Sequence, residues 1–234
     1  MSKNNCLINA DSSSKTLLKY LLSFAVGGLL GDVFLHLLPE ASDHMLRTGM
    51  SSRNVQLYLG LWTLIGILCF AFTESFFSHV SKHNEVMGYL NLLANGFDNL
   101  THGVAVGASF LVSIKMGLFT TFAIAVHEIP HEIGDFAILI KSGFNKWQAV
   151  RAQVYIAGVT VLGSLIILLA DSADAVGIKT LWILPFTSGG FLHISLVSIL
   201  PELLSEPDLW QSVKQTLFII FGVSVMAFVN LLAD

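Results

Sequence analysis

Charged side chains are what this chain has least of: 12% of its 234 residues are Asp, Glu, Lys or Arg, against 54% hydrophobic. A soluble domain carries roughly 25%, so the deficit excludes a disordered protein, a coiled coil and nearly any water-exposed enzyme. The formal net charge is −4 and no basic cluster is present, which leaves no footprint for nucleic acid. Cysteine is scarce too. Cys6 in the polar N-terminus and Cys69 in an apolar run make no disulfide framework. The opening MSKNNCLINADSSSKT lacks the apolar core of a signal peptide, so the first apolar segment is expected to act as its own insertion signal. With no Pro/Ser-rich or low-complexity linker, the chain divides into a polar N-terminus, 1–16, and one membrane domain, 17–234.

Apolar runs are abundant instead. A bilayer-spanning helix needs roughly 20 mostly apolar residues, and such segments fall near 17–38, 57–77, 87–112, 117–140, 148–170, 180–200 and 213–232. The expected fold is therefore an all-α polytopic membrane protein with seven transmembrane helices, the third and fourth interrupted by polar residues. Lys3, Lys15, Lys19, Lys82, Lys141, Lys146, Arg151 and Lys214 would share one side of the membrane, and Arg47, Arg53, Lys115 and Lys179 the other. That excess places the N-terminus in the cytosol and the C-terminus outside or in a lumen.

The chain also resembles itself. Gly27, Gly28, Leu30, Leu38, Pro39 and Glu40 reappear 162 positions later as Gly189, Gly190, Leu192, Leu200, Pro201 and Glu202, and Gly60 and Gly222 keep that offset. The first span leaves the cytosol while the sixth returns to it, so the repeat is inverted, as in many transporters. The fifth span then has no partner before residue 17, and a complete repeat calls for one more N-terminal helix. Gly27 and Gly31, and Gly103 and Gly107, form G-x-x-x-G pairs suited to close helix contact or a dimer seam.

Ionisable residues inside a membrane segment are costly and point to function. The third span carries Asp98, Asn99 and His102; the fourth carries His127, Glu128, His131, Glu132 and Asp135. Spacings of four put Asp98 with His102, and His127 with His131 and Asp135, on common helix faces, with Glu128, Glu132 and Asp135 forming an adjacent acidic row. Two antiparallel neighbours would bring imidazoles and carboxylates together near mid-membrane, a mixture that suits zinc or iron(II) better than magnesium or calcium. The alternative in the same residues is a set of hydrogen-bonded pairs that join two helices. Pro130 should kink its helix beside the ligands, and Thr101 should bond back to the carbonyl of Phe97. His127-Glu128-Ile129-Pro130-His131 also fits the H-E-x-x-H pattern of zinc proteases. An intramembrane metalloprotease is thus a reading of a different class, opposed by Pro130 between the histidines and by the second row of carboxylates.

Other polar residues are secondary. Asp32, His36 and Glu40 form a stripe on the first span, with Asp32 and His36 expected to line a metal path and Glu40 to lie near its luminal end. Gln153 and His193 are single polar groups, His193 more suited to packing. His79 and His83 stand in a cytosolic connector.

With these residues in view, the chain resembles the ZIP family of divalent metal transporters and its LIV-1 subgroup. HEIPHEIGD at 127–135 is similar to the subgroup signature H-E-x-P-H-E-x-G-D without a mismatch. DNLTHG at 98–103 stands where H-N-x-T-D-G is usual, with His and Asp exchanged, a form similar to that of a secretory-pathway branch. GGLLGDVFLHLLPE at 27–40 and the stretch 184–204 also look like family helices. The resemblance implies an eight-helix 3+2+3 inverted-repeat fold whose first helix this seven-span chain lacks, so that it would be a short isoform or a fragment. It also implies transport of zinc, with iron as second candidate, towards the cytosol by alternating access, with no enzymatic activity and no resident cofactor. Asp98, His102, His127 and His131 would hold one metal ion. Asn99, His102, Glu128 and His131 would face a neighbouring position, with Gln153 as a further contributor. A homodimer in a Golgi, endoplasmic reticulum or vesicle membrane follows from the same resemblance, and a non-transporting metal sensor is the remaining alternative.

Overall fold

The computed structural model describes residues 2–79, 83–170 and 180–233, with side chains over 15–79, 84–170 and 180–232. Lys82 and Lys179, counted above for orientation, lie outside the described residues, as do the side chains of Lys3, Cys6 and His83.

Among the described residues the chain forms seven helical rods and no strand. The first rod is α1 (Ser2–Asp32), a π turn at Val33–Leu37, and α2 (Leu38–Arg47). Four single helices follow: α3 (Ser52–Phe77), α4 (His83–Val112), α5 (Ile114–Lys141) and α6 (Lys146–Leu169). The sixth rod repeats the build of the first, with α7 (Ile183–His193), a π turn at Ile194–Ile199 and α8 (Leu200–Leu204). The last is α9 (Leu209–Ala233).

Each expected span is a rod, and most rods run past the expected ends; side-chain caps start α3, α5 and α6. Ser51 caps α3 by accepting from the Asn54 amide, and Ser113 caps α5 by accepting from the Met116 amide. The α5–α6 turn is specified residue by residue. The amides of Gly143 and Phe144 donate to the carbonyls of Ile140 and Leu139, a Schellman closure. It requires the φ of +96° that glycine adopts without strain. Asn145 and Gln148 then exchange side-chain and backbone bonds as a capping box.

The five rods built on α1, α3, α6, α7 and α9 are long and apolar enough to cross a membrane. The other two, α4 and α5, have 30 and 28 residues and so are also long enough, but they carry the ionisable residues. The first and sixth rods are mostly buried, while α3, α6 and α9 turn most of their surface outward. That outer surface is apolar: Leu57, Leu61, Leu64 and Leu68 form an exposed row along α3. Inside lie Asp32, Asn91, Asn95, Asp98, His102, His127, His131 and Asp135. Apolar residues outside and polar residues inside are what a bilayer solvent selects.

The two π turns lie one repeat apart and precede Pro39 and Pro201. A proline in a helix cannot donate to the carbonyl four residues back and crowds it. In the first rod that carbonyl belongs to Leu35, and it accepts from Asn230 Nδ2 of α9 at 2.8 Å. Helix pairing follows the same symmetry, since the first rod packs on α9 and α3 packs on α7. Gly27 and Gly222 lie at one crossing and Gly66 and Gly189 at the other, with facing backbone where a Cβ would stand. The expected match of Gly60 with Gly222 is corrected here: Gly60 faces open space, and Gly66 takes the part of Gly222. The offset shortens because α2 has ten residues and α8 five. The G-x-x-x-G pairs serve contacts within the chain, Gly27 and Gly31 against α9 and Gly103 and Gly107 against α6.

Gly27→Ala should therefore destabilise the detergent-solubilised protein by about 1–3 kcal/mol, the usual cost of overpacking. Gly28→Ala, whose Cβ meets nothing within 4 Å, should be neutral. Thermal midpoints compare the two; equal midpoints would mean that the α1–α9 crossing yields without cost.

Candidate metal centre

Three rods build the centre, because each offers ionisable side chains one helical turn apart. The first rod contributes Asp32 at the start of its π turn and His36 within it. Helix α4 contributes Asp98 and His102, and α5 contributes His127, Glu128 and His131. Helices α1 and α5 are brought close at Gly134, where a Cβ would stand 3.2 Å from Ala25. Helix α4 is fixed from behind by the Gly103–Gly163 crossing with α6.

Asp32 is the junction. Its Oδ1 lies 3.1 Å from His127 Nε2 and its Oδ2 lies 3.4 Å from His131 Nε2. Across from it, His102 Nε2 lies 3.0 Å from Glu128 Oε1 and 3.6 Å from Asp98 Oδ2. The rings of His36 and His127 have centroids 4.4 Å apart. Asp32, Asp98, His102, His127 and His131 are 0 to 4% exposed, so water does little to solvate them. Burial of this kind demands partners.

The hydrogen bonds do not supply enough. Both carboxylate oxygens of Asp98 are buried without a hydrogen-bond partner, and the Asp32–His127 and His102–Glu128 contacts, at 3.1 and 3.0 Å, are poorly aligned for hydrogen bonds. Three groups each bring one ligand atom per residue within 4.8 Å of the others: His36, His102 and His127; Asp32, Asp98 and His131; and Asp98, His102 and Glu128. With neutral imidazoles these side chains carry three carboxylate charges in a low-dielectric interior. A divalent cation would offset much of that charge and draw in the unpaired nitrogen and oxygen atoms, whose mixture suits zinc. Asp98 and His102 each belong to two of the groups, so neighbouring groups share one residue.

The remaining expected residues lie around this cluster. Asn99 is turned away: its Nδ2 donates to Asn95 Oδ1 at 2.6 Å, and its Oδ1 accepts from Thr160 Oγ1 at 2.7 Å. Asp135 accepts from Asn95 Nδ2 at 2.5 Å and stands 3.8 Å from His131 Nδ1, behind that ring. Glu132 is half-buried on the α6 side, and Gln153 donates to its backbone carbonyl at 2.7 Å. Glu132 and Asp135 are not among the three ligand groups, and the amides of Asn99 and Gln153 are engaged in these hydrogen bonds. The expected bond of Thr101 to Phe97 is corrected: its hydroxyl donates to the carbonyl of Asp98 at 2.7 Å, one residue nearer. Helix α5 continues through Pro130, and His127 and His131 still reach the same carboxylate. Proline between the histidines therefore does not argue against the protease geometry.

Two residues escaped the sequence reading. Glu74, buried in the apolar run of α3, pairs with His193 Nε2 at 2.5 Å and accepts from Ser198. Its signal was simply a carboxylate inside a span. His44 lies 3.9 Å from Glu40 and extends the stripe of the first rod by one more step of four. His79 is exposed at the end of α3.

The family described as ZIP zinc transporter matches residues 1–86 and 81–230. The chain belongs to the ZIP zinc transporter family. It is 51% identical to zinc transporter ZIP13 of Pongo abelii, covering 93% of this chain and 68% of that protein. Against the zinc transporter ZIP13 homolog of Drosophila melanogaster the identity is 41%, over 96% of this chain and 80% of the relative. Zinc transporter ZIP13 of Homo sapiens is 42% identical, with 93% and 72% covered. The chain is thus a polytopic helical membrane protein of this family, and residues able to hold a metal ion gather where the first rod, α4 and α5 meet.

Asp32→Asn should weaken zinc binding by the purified protein about 10- to 100-fold, the range for losing a group that supports metal ligands. Competition with a chromophoric chelator measures it. Unchanged affinity would mean that Asp32 only fastens α1 to α5.

Proposed function

We propose that the chain carries zinc across a membrane, towards the side that holds its N-terminus, by alternating access to the cluster around Asp32. The observation that supports this most strongly is the convergence of seven ligating side chains from three rods, most of them buried and short of hydrogen bonds. A hydrated ion would exchange water for imidazole and carboxylate on arrival. It would leave when the three rods separate and the ligand groups come apart. Asp98, His102, His127 and His131, with Asp32, His36 and Glu128, do the binding. Asn99, Glu132, Asp135 and Gln153 hold the helices and rings around them. The names of the relatives support zinc as cargo, and iron(II), which takes similar nitrogen and oxygen ligands, is the competitor to test. The N-terminal residues 1–16 stand on the cytosolic side in this proposal, and 17–234 form the transport domain. A homodimer in a secretory-pathway membrane completes the reading.

A transporter makes no demand for a general base, and Glu128 lies 3.0 Å from an imidazole rather than apart as a base for water. Peptide hydrolysis that depends on Glu128 would revive the protease.

In liposomes, His131→Ala should reduce radiolabelled zinc uptake to background while the protein remains folded and inserted; normal flux would refute the site. Exchanging Asp98 and His102 keeps the ligand set and should retain measurable uptake, with each single alanine variant well below it. The opposite ranking would assign the pair to helix packing.

A further inference from the structure

The first rod carries more ligands than the central cluster uses. Asp32, His36, Glu40 and His44 recur every four residues, and their side chains become steadily more exposed: 0%, 23%, 30% and 51%. In a regular α-helix each step of four advances about 40° around the axis, so such a row drifts off one face. The π turn at Val33–Leu37 advances less per residue and keeps the inner part of the row in line. Asp32 and His36 accordingly both meet His127.

Glu40 stands between two imidazoles. Its Oε2 is 3.5 Å from His36 Nε2 and its Oε1 is 3.9 Å from His44 Nε2. Nitrogen and oxygen ligands bound tetrahedrally to zinc at about 2.0–2.2 Å stand roughly 3.3–3.6 Å from one another. The inner pair already has that separation, and the outer pair needs a few tenths of an ångström on an exposed side chain. His36 Nε2 is itself buried without a hydrogen-bond partner.

We infer that the His36–Glu40 and Glu40–His44 pairs form a second, outer metal site of two overlapping two-ligand positions, which captures a divalent cation of the zinc class at the end of the first rod remote from the N-terminus. The inference rests on the reading of the central cluster as the carrier of transported zinc. Successive pairs share a residue: His44 with Glu40, Glu40 with His36, and His36 with His102 and His127. An ion can therefore move inward by replacing one ligand at a time, never fully released to water. Two protein ligands per step, with water filling the remaining positions, make each stage weak and quickly exchanged, as a loading site requires.

Two measurements on the full chain test this. First, zinc is titrated calorimetrically into purified protein carrying Asp98→Ala and His127→Ala, which removes a ligand from each of the three central groups. A weak zinc site should remain, and adding Glu40→Gln or His44→Asn should weaken it about tenfold or more, as removal of a metal-supporting group does. No residual site, or one indifferent to both substitutions, overturns the inference and leaves an ordinary imidazole–carboxylate pairing. Second, His44→Asn in an otherwise intact chain should raise the KM for zinc uptake into liposomes about five- to tenfold, with kcat changed less than about twofold. Unchanged KM, or a fall in kcat alone, overturns it. The two failures separate cleanly: if the intact chain moves no zinc, the transport reading falls while the titration still decides the outer site. Transport that persists without an outer ion removes only the outer site.

Discussion

The Asp32 carboxylate, held between His127 and His131 in a fully buried position, is the constraint on which the rest of the structure depends. A carboxylate out of water is tolerated only against a partner, and inside a bilayer few partners are available. The first rod must therefore stay docked on α5, and the glycine at 134 lets the two backbones approach far enough for the side chains to meet. Helix α4 closes the other side through Asp98 and His102. Remove the shared carboxylate and the three rods keep their apolar contacts, yet lose the reason for their ionisable faces to converge.

The π turns extend this logic along the chain. Proline at 39 and at 201 makes a regular helix unfavourable in both long rods, and the same irregularity appears at both places. In the first rod the wider turn brings Asp32 and His36 onto one line and exposes a carbonyl that Asn230 satisfies. In the sixth rod the equivalent turn places Ser198 against Glu74, which also holds His193. One structural device thus presents Asp32 and His36 to the candidate centre in one repeat and supports a buried imidazole–carboxylate pair in the other. The end of the bundle carrying the N-terminus of the first rod is tied by Lys19 to Glu206, at 2.7 Å, and by Lys141 to Glu202. Lys19 holds the Glu206 carboxyl below its usual range, so that contact strengthens above the ordinary carboxylate pKa and is lost as pH falls through the lowered one.

Much of this was legible in the residues because a membrane imposes strong rules. Spans of about 20 apolar residues and ionisable residues spaced by four leave little freedom, and the seven rods and the ionisable faces of α4 and α5 follow from them. The role of Glu74 was not legible, since a single carboxylate says nothing of the histidine 119 positions away that it meets. Gly60 misled for a related reason. A repeat read at constant offset cannot register that α2 is five residues longer than α8.

What the sequence by itself determined is local: which segments are helices, which faces carry ionisable residues, and that the signature at 127–135 belongs with the one at 98–103. Periodicity and the cost of charge in hydrocarbon act within a segment, so they can be read from it. Only the tertiary structure decided how the faces combine. It brought Asp32 and His36 against His127 and turned Asn99 towards Thr160 of α6. It also set Asp135 between Asn95 and the Nδ1 side of His131. Those assignments depend on distances between rods, set by backbone crossings at Gly27, Gly103 and Gly134 and by one wide turn ahead of Pro39. No single helix carries that information.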